Sequence, residues 1–315
     1  MRPLALLAPL LLAACATTGA PAPGACGFVA RSTLPITRIG PFAAVDSTID
    51  GAPARLLVDT GDTALTVLSA AAAQRSGVAL DPHRTLRTSG IGGAATYPTG
   101  RIGRLMLGNI AVAPAVVTVM PAVPLADGNI GMDILSDVDL DLDLPAGRIT
   151  LHRGRLCPGA GPPWDTPATE LHTAARTWRR LPASAPPSEL LLEMELNGVP
   201  ALALLDTGAG HTVVAGAFAA RLGVTDAALA AGPALPLPGL SPQAGRGWLW
   251  RFREARIGTE RFTAPVMVVA DLHNPGYDVV LGMDYLTRHR VWLSYGARRI
   301  FVAVRGTPPA GHPAP

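Results

Sequence analysis

A chain of 315 residues that is 49% hydrophobic and 16% charged carries enough apolar mass for one large core or two smaller ones, which excludes disorder throughout. Its 26 basic residues are all arginines, mostly single, and the net charge is only +3, so no polybasic tract marks a nucleic-acid partner. With 34 glycines, 31 prolines and 5% aromatics, the composition favours many short strands and turns over long helices, a mainly β protein.

The chain opens with Arg2 and an apolar run over residues 4–12, too short to span a bilayer but suited to a signal peptide over residues 1–14. The sequence Leu12-Ala13-Ala14-Cys15 resembles the bacterial lipobox, which makes Cys15 the lipid-bearing first mature residue. The alternative is an ordinary secretory signal cut near Ala14. Either way the chain is exported, and the first reading places it on a periplasm-facing membrane. Residues 15–31 read as a lipid-anchored tether, flexible through its Ala, Thr, Pro and Gly content. In an oxidising compartment the two remaining cysteines, Cys26 and Cys157, are expected to be bonded, against the alternative of two isolated buried thiols.

Residues 32–155 form a first lobe. Asp50-Gly51 is a tight hairpin signal, and the second strand of that hairpin, Arg55-Leu56-Leu57-Val58, runs into Asp59-Thr60-Gly61. An Ala-rich helical pattern over residues 69–77 then stops at Gly77. Next come a Gly-rich segment, Ser89-Gly90-Ile91-Gly92-Gly93, a turn at Gly108-Asn109, an apolar strand over residues 115–119 and the motif Asn129-Ile130-Gly131-Met132-Asp133. Two strands around Pro145-Ala146-Gly147 close the lobe.

Residues 156–187, rich in Pro, Gly and Ala, read as a linker, after which residues 188–305 repeat the same parts in the same order. Asn197-Gly198 leads through Leu202-Ala203-Leu204-Leu205 into Asp206-Thr207-Gly208. A helical pattern over residues 215–223 stops at Gly223. Gly258-Thr259, an apolar strand over residues 266–269, Val280-Leu281-Gly282-Met283-Asp284 and two strands around Gly296-Ala297-Arg298 complete the copy. Residues 306–315 read as a disordered tail. One fold occurs twice.

A lone Asp-Thr-Gly is weak evidence of chemistry, because Asp and Gly are common in turns. Here each Asp follows an apolar β run, where an ionised carboxylate is costly unless solvated in a cleft or paired. If the two lobes pack about a pseudo-twofold axis, Asp59 and Asp206 meet there and share one proton. Such a pair titrates as a unit, one carboxyl ionised and one neutral, which provides a general base and a general acid with no metal, cofactor or covalent intermediate. Which Asp plays which part is open at this level. Thr60 and Thr207 supply hydroxyls able to bond across the axis, while Gly61 and Gly208 allow close backbone approach.

These motifs resemble the retropepsin-like aspartic proteases, over almost all of both lobes. The resemblance implies two acid-protease β-barrel lobes with short helices, a substrate-covering flap at Gly90, Ile91, Gly92 and Gly93, and structural Ile130-Gly131 and Leu281-Gly282 packed beneath the two Asp loops. Retroviral members assemble from two identical chains. This chain is similar to a single-chain tandem version in the pepsin-like arrangement, which implies a monomer with an intramolecular dyad acting on extended polypeptide.

Two features depart from the family. Asp62 stands where the second copy has Ala209, and is expected to be a solvated turn residue. The second lobe lacks a clear Gly-rich flap, and the segment from Pro238 to Trp248 is expected to form an irregular loop. Asp137, Asp139, Asp141 and Asp143 alternate with apolar residues, which argues for a strand with one acidic face rather than a calcium loop. Asp133 and Asp284 are expected to cap the short helices that follow them. His211 reads as polar surface, and His83, His152, His172, His273 and His289 show no zinc spacing.

The leading functional expectation is an exported aspartic endopeptidase. Its alternatives are a non-catalytic peptide-binding or scaffold lipoprotein that keeps the fold, and an obligate dimer pairing equivalent Asp residues from different chains.

Overall fold

A computed structural model describes residues 26–112, 115–174, 189–237, 239, 245–272 and 276–304. The leader, Cys15, His273 and the tail lie outside the described residues.

Each lobe is organised by its first hairpin. Asp50 and Gly51 adopt φ of 49° and 87°, and Asn197 and Gly198 adopt 55° and 81°, the left-handed pair that a two-residue turn needs to match strand twist. The strand Ala52–Val58 therefore returns beside Phe42–Ile49, and Val199–Leu205 beside Leu191–Leu196. In Ala52–Val58 the alternate residues Ala54, Leu56 and Val58 are buried, so the strand is pinned by its apolar face as it delivers Asp59. Short helices follow at Ala70–Arg75, whose Ala72 N–H donates to the Ser69 hydroxyl, and at Gly216–Arg221.

Among the described residues the strands build three sheets. A ten-stranded sheet belongs to the first lobe and a nine-stranded sheet to the second, with corresponding strands in the same order. A six-stranded sheet draws on both halves, its central strands Val138–Asp143 and His289–Ser294 pairing antiparallel with Leu142 opposite Val291. One continuous apolar core runs through both lobes, joining residues as distant in sequence as Leu56, Leu142, Leu205 and Val291. Two lobes that share a sheet and a core hold their hairpins in fixed register, which is what positions the two Asp loops.

Several expectations are revised. Strand structure begins at Gly27, inside the segment read as tether, because Gly27–Pro35 pairs along Arg148–Arg155 and Cys26 is disulfide-bonded to Cys157. The segment read as linker contains the strand Thr169–Leu171, which extends the shared sheet beside Arg299–Val304; residues 175–188 lie outside the described residues. The alternating acids Asp139, Asp141 and Asp143 do lie on one strand, Val138–Asp143, and their face is buried. Asp139, Asp141 and Asp143 are 1%, 3% and 1% exposed, because their strand lies in the middle of the shared sheet and is covered on both sides. Arg290 grips Asp141 through two hydrogen bonds of 2.8 and 2.5 Å, Arg148 meets Asp143 at 2.5 Å, and Asp139 accepts from the Leu156 N–H and the Trp292 indole. Beside them Phe28, His152, Trp164 and Trp292 form an aromatic cluster, and burial pushes the His152 imidazole down to about 4.

Of the second-lobe segment expected to be irregular, residues 238 and 240–244 lie outside the described residues, and residues 245–248 belong to a strand. Ala234–Leu237 and Gly245–Arg251 pair antiparallel and join the sheet beside Val266–Ala270, the position that the first-lobe strands Leu80–Gly90 and Gly93–Ile102 occupy beside Ala115–Met120. Backbone pairing forms this hairpin without the glycine pattern that marks the first.

Candidate active site

Asp59 and Asp206 stand at the ends of the two equivalent strands, each followed by a loop that crosses the boundary between lobes. The Asp59 N–H donates to Ile130 O at 3.1 Å and the Asp206 N–H to Leu281 O at 3.0 Å, so each Asp is fixed by the strand running parallel to its own. The threonines bind the loops together. Thr60 N–H donates to Thr207 Oγ1 and Thr207 N–H to Thr60 Oγ1, both at 3.1 Å. The Thr60 hydroxyl donates to Leu205 O at 2.7 Å and the Thr207 hydroxyl to Val58 O at 2.5 Å. Both side chains are buried, so these bonds form in a low-dielectric interior where leaving any of them unmade is costly.

The two carboxyls hydrogen-bond to each other within one chain. Gly61 lies against the Asp206 carboxyl and Gly208 against the Asp59 carboxyl, so closely that a Cβ at either position would overlap the opposing acid. Beneath the loops, Gly131 and Gly282 lie on the backbone oxygens of Asp62 and Ala209, which accept from the Met132 and Met283 N–H groups at 2.8 Å.

Asp133 and Asp284 are not helix caps. Gly131 and Gly282 hold the cap positions, and the two acids sit in the first helical turn, where they tie the Asp loops down. Asp133 Oδ1 accepts from both the N–H and the hydroxyl of Thr66 at 2.9 Å, and Asp284 accepts from the same two groups of Thr212 at 2.8 and 2.7 Å. The repeated Met-Asp motif is thus a loop anchor, a role that helix periodicity does not reveal.

The lobes differ most in what surrounds their carboxyls. Asp59 Oδ1 accepts from the Gly61 and Asp62 N–H groups at 3.1 and 3.0 Å, and Oδ2 from the Asn129 amide at 3.1 Å. Asp206 Oδ1 accepts from Gly208 N–H at 2.7 Å. Burial raises both acids above the usual carboxylate range. For Asp206 the neighbouring Asp59 charge adds to the rise, whereas the donors around Asp59 oppose it. The unequal donor sets therefore favour the charged form at Asp59 over Asp206.

Asp62 is not a solvated turn residue. Its Oδ2 accepts from the same Asn129 amide at 2.8 Å and its Oδ1 from Ala64 N–H at 3.0 Å; burial first, and the Asp59 charge second, push it up to about 7. Sequence reasoning misses Asn129. The available signal is a polar residue in an apolar strand motif whose second copy has Val280. Sequence reasoning also misses Tyr295: burial, and then the fields of Asp206 and Asp59, hold its phenol neutral well above its ordinary range. His211 is exposed.

In the first lobe, Gly90 pairs with Gly93 around the turn Ile91-Gly92, with φ of 93° at Gly92. Ile91 packs against Gly239 and Gly245 of the second-lobe hairpin and joins an apolar cluster with Leu235 and Leu249, so the two hairpins meet. A separate cavity of about 470 Å³ lies in the first lobe among Leu107, Ile134, Val138 and Arg153, and none of the Asp-loop residues line it.

The family model described as aspartyl protease matches residues 45–134 and 192–285, which is more than half of the chain and takes in both Asp loops. The chain belongs to the aspartyl protease family. A crystal structure of the aspartic proteinase from Irpex lacteus is similar in fold, with a TM-score of 0.54 at 14% identity, covering 89% of this chain and 99% of that one. A search of curated proteins finds no match. The two matched regions are the two lobes of this aspartyl protease fold, related as the repeated motifs indicate.

Proposed function

We propose that this aspartyl protease family member is an exported endopeptidase that hydrolyses peptide bonds with a water activated by the Asp59 and Asp206 carboxyls. The observation that carries the reading is the pair of hydrogen-bonded acids with unequal donor sets. The charged Asp59 carboxylate takes a proton from water as the oxygen attacks the scissile carbonyl, while Asp206 gives its proton to the carbonyl oxygen. The resulting tetrahedral diol collapses when the amide nitrogen receives a proton from the Asp59 side and a hydroxyl proton returns to Asp206. The carboxyls end in their starting states. An extended substrate strand lies between the lobes, under the flap at Gly90 to Gly93 and the second-lobe hairpin.

The protein acts as a monomer, exported by the leader and held to a bacterial envelope membrane through lipid on Cys15. Among the described residues no helix is long and apolar enough to cross a membrane.

Digestion of a random peptide library by the purified protein, from acidic to neutral pH and with mass detection of new ends, tests this function. Cleavage inside extended peptides, blocked by a peptide carrying a non-hydrolysable hydroxyl at the scissile position, is the expected result. A protein that binds such peptides and cuts none is a scaffold instead.

Gly208→Ala should lower kcat by about 10²-fold, the scale of a 1 Å misplacement, because its Cβ occupies the space of the Asp59 carboxyl. The far-ultraviolet circular dichroism should be retained. Wild-type turnover in this variant would show that the carboxyls tolerate separation.

A further inference from the structure

The first lobe carries a third acid that the second lobe lacks. Asn129 uses its two amide hydrogens on two different carboxylates, Asp59 Oδ2 at 3.1 Å and Asp62 Oδ2 at 2.8 Å, and so links them through one rigid planar group. The corresponding positions in the second lobe are Ala209 and Val280, which can do neither. Resting on the reading of Asp59 and Asp206 as the catalytic pair, we propose that Asp62, tied to Asp59 through Asn129, is a positioning residue that keeps the shared proton on the dyad as the pH rises to neutrality.

The acids that bear on Asp62 are Asp59 from its own loop, Asp133 from the helix Met132–Leu135 and Asp206 from the opposite loop, and all are carboxyls. In the working state Asp59 is charged, while Asp206 and Asp62 are neutral. As the pH rises, Asp62 competes with Asp206 to lose the next proton. Its ionisation places a negative charge beside the dyad, and that charge opposes loss of the Asp206 proton. Asn129 acts in the opposite sense at low pH, since its donation favours the charged form of Asp59. Together they widen the pH interval over which one proton is shared, at both ends.

The test compares kcat/KM against pH for wild type, Asp62→Asn and Asn129→Ala, together with carboxyl NMR titrations of carbon-labelled aspartate in the same proteins. Asp62→Asn removes the charge and keeps an oxygen for the Ala64 N–H but not for the Asn129 amide, which uses the other carboxylate oxygen, so a merely structural Asp62 shows only the acid-limb shift of Asn129→Ala and leaves the alkaline limb and the upper titration unmoved. The expected result is an alkaline limb, and an upper dyad titration, moved about one pH unit toward acid. Asn129→Ala should move the acid limb upward, because Asp59 loses a donor that favours its anion. An alkaline limb and an upper titration that do not move in Asp62→Asn overturn the proposal. A protein that cuts nothing but whose dyad titration moves as described refutes the proposed function and leaves the coupling standing.

Discussion

Asp206→Asn and Asp59→Asn should each remove about 10²–10⁴-fold or more of peptide hydrolysis while leaving the protein folded, because neither remaining acid can serve as both base and acid. The amide at position 206 keeps an oxygen for the Gly208 N–H, so the loop geometry survives. What is lost is the acid that hands a proton to the carbonyl oxygen. Position 59 is more demanding, because its carboxylate accepts from three donors and an amide has only one oxygen. The structure contains the remedy: Asn129 Oδ1 is buried without a partner, so rotation of the Asn129 amide would let it accept from the amide nitrogen that the substitution introduces. Folding should therefore persist in both variants, checked by circular dichroism and thermal melting beside the peptide assay. Wild-type turnover in either one would rule out a shared dyad.

Arg290→Met should cost about 3–5 kcal/mol of stability, the largest structural effect expected from a single substitution away from the dyad. Arg290 belongs to the second lobe and Asp141 to the first, and their two-pronged contact lies in the central sheet that both lobes build. Their side chains are 12% and 4% exposed, and Asp143 lies a further 3.8 Å from the same guanidinium. Removing the cation strands the buried Asp141 carboxylate with no solvent to replace it, whereas Asp143 keeps Arg148. Arg148, on the other side of Asp143, leaves Asp141 uncompensated. Urea denaturation should show the loss as a lower midpoint. Adding Asp141→Leu should recover part of it, because an apolar pair needs no counter-charge. A midpoint for Arg290→Met within error of wild type would mean that the pair is solvated and carries little.

The two-lobed plan is legible in the sequence because its signals are local and occur twice. Asp50-Gly51 and Asn197-Gly198 select their turn through backbone sterics alone, and each turn aims an apolar strand at an Asp-Thr-Gly. Repetition of the later motifs in one order then implies that the two acids are symmetry-related. No alternation of residues can say what covers a strand's second face. Asp139, Asp141 and Asp143 read as one acidic face because period two reports which residues share a side, and what covers that face comes from Arg290 and Trp292, some 150 residues away along the chain. The second-lobe hairpin is hidden for a related reason: it is held by pairing to Val266–Ala270 and needs no glycine run of its own.

The fold and the identity of the two central acids were thus determined by the amino-acid order itself, through turn sterics, apolar periodicity and internal repetition. The tertiary structure decided the inequality between those acids. Asn129 and Asp62 act on Asp59 from positions that meet only after parallel strands pair, and the energy of a buried charge depends on which donors surround it in space.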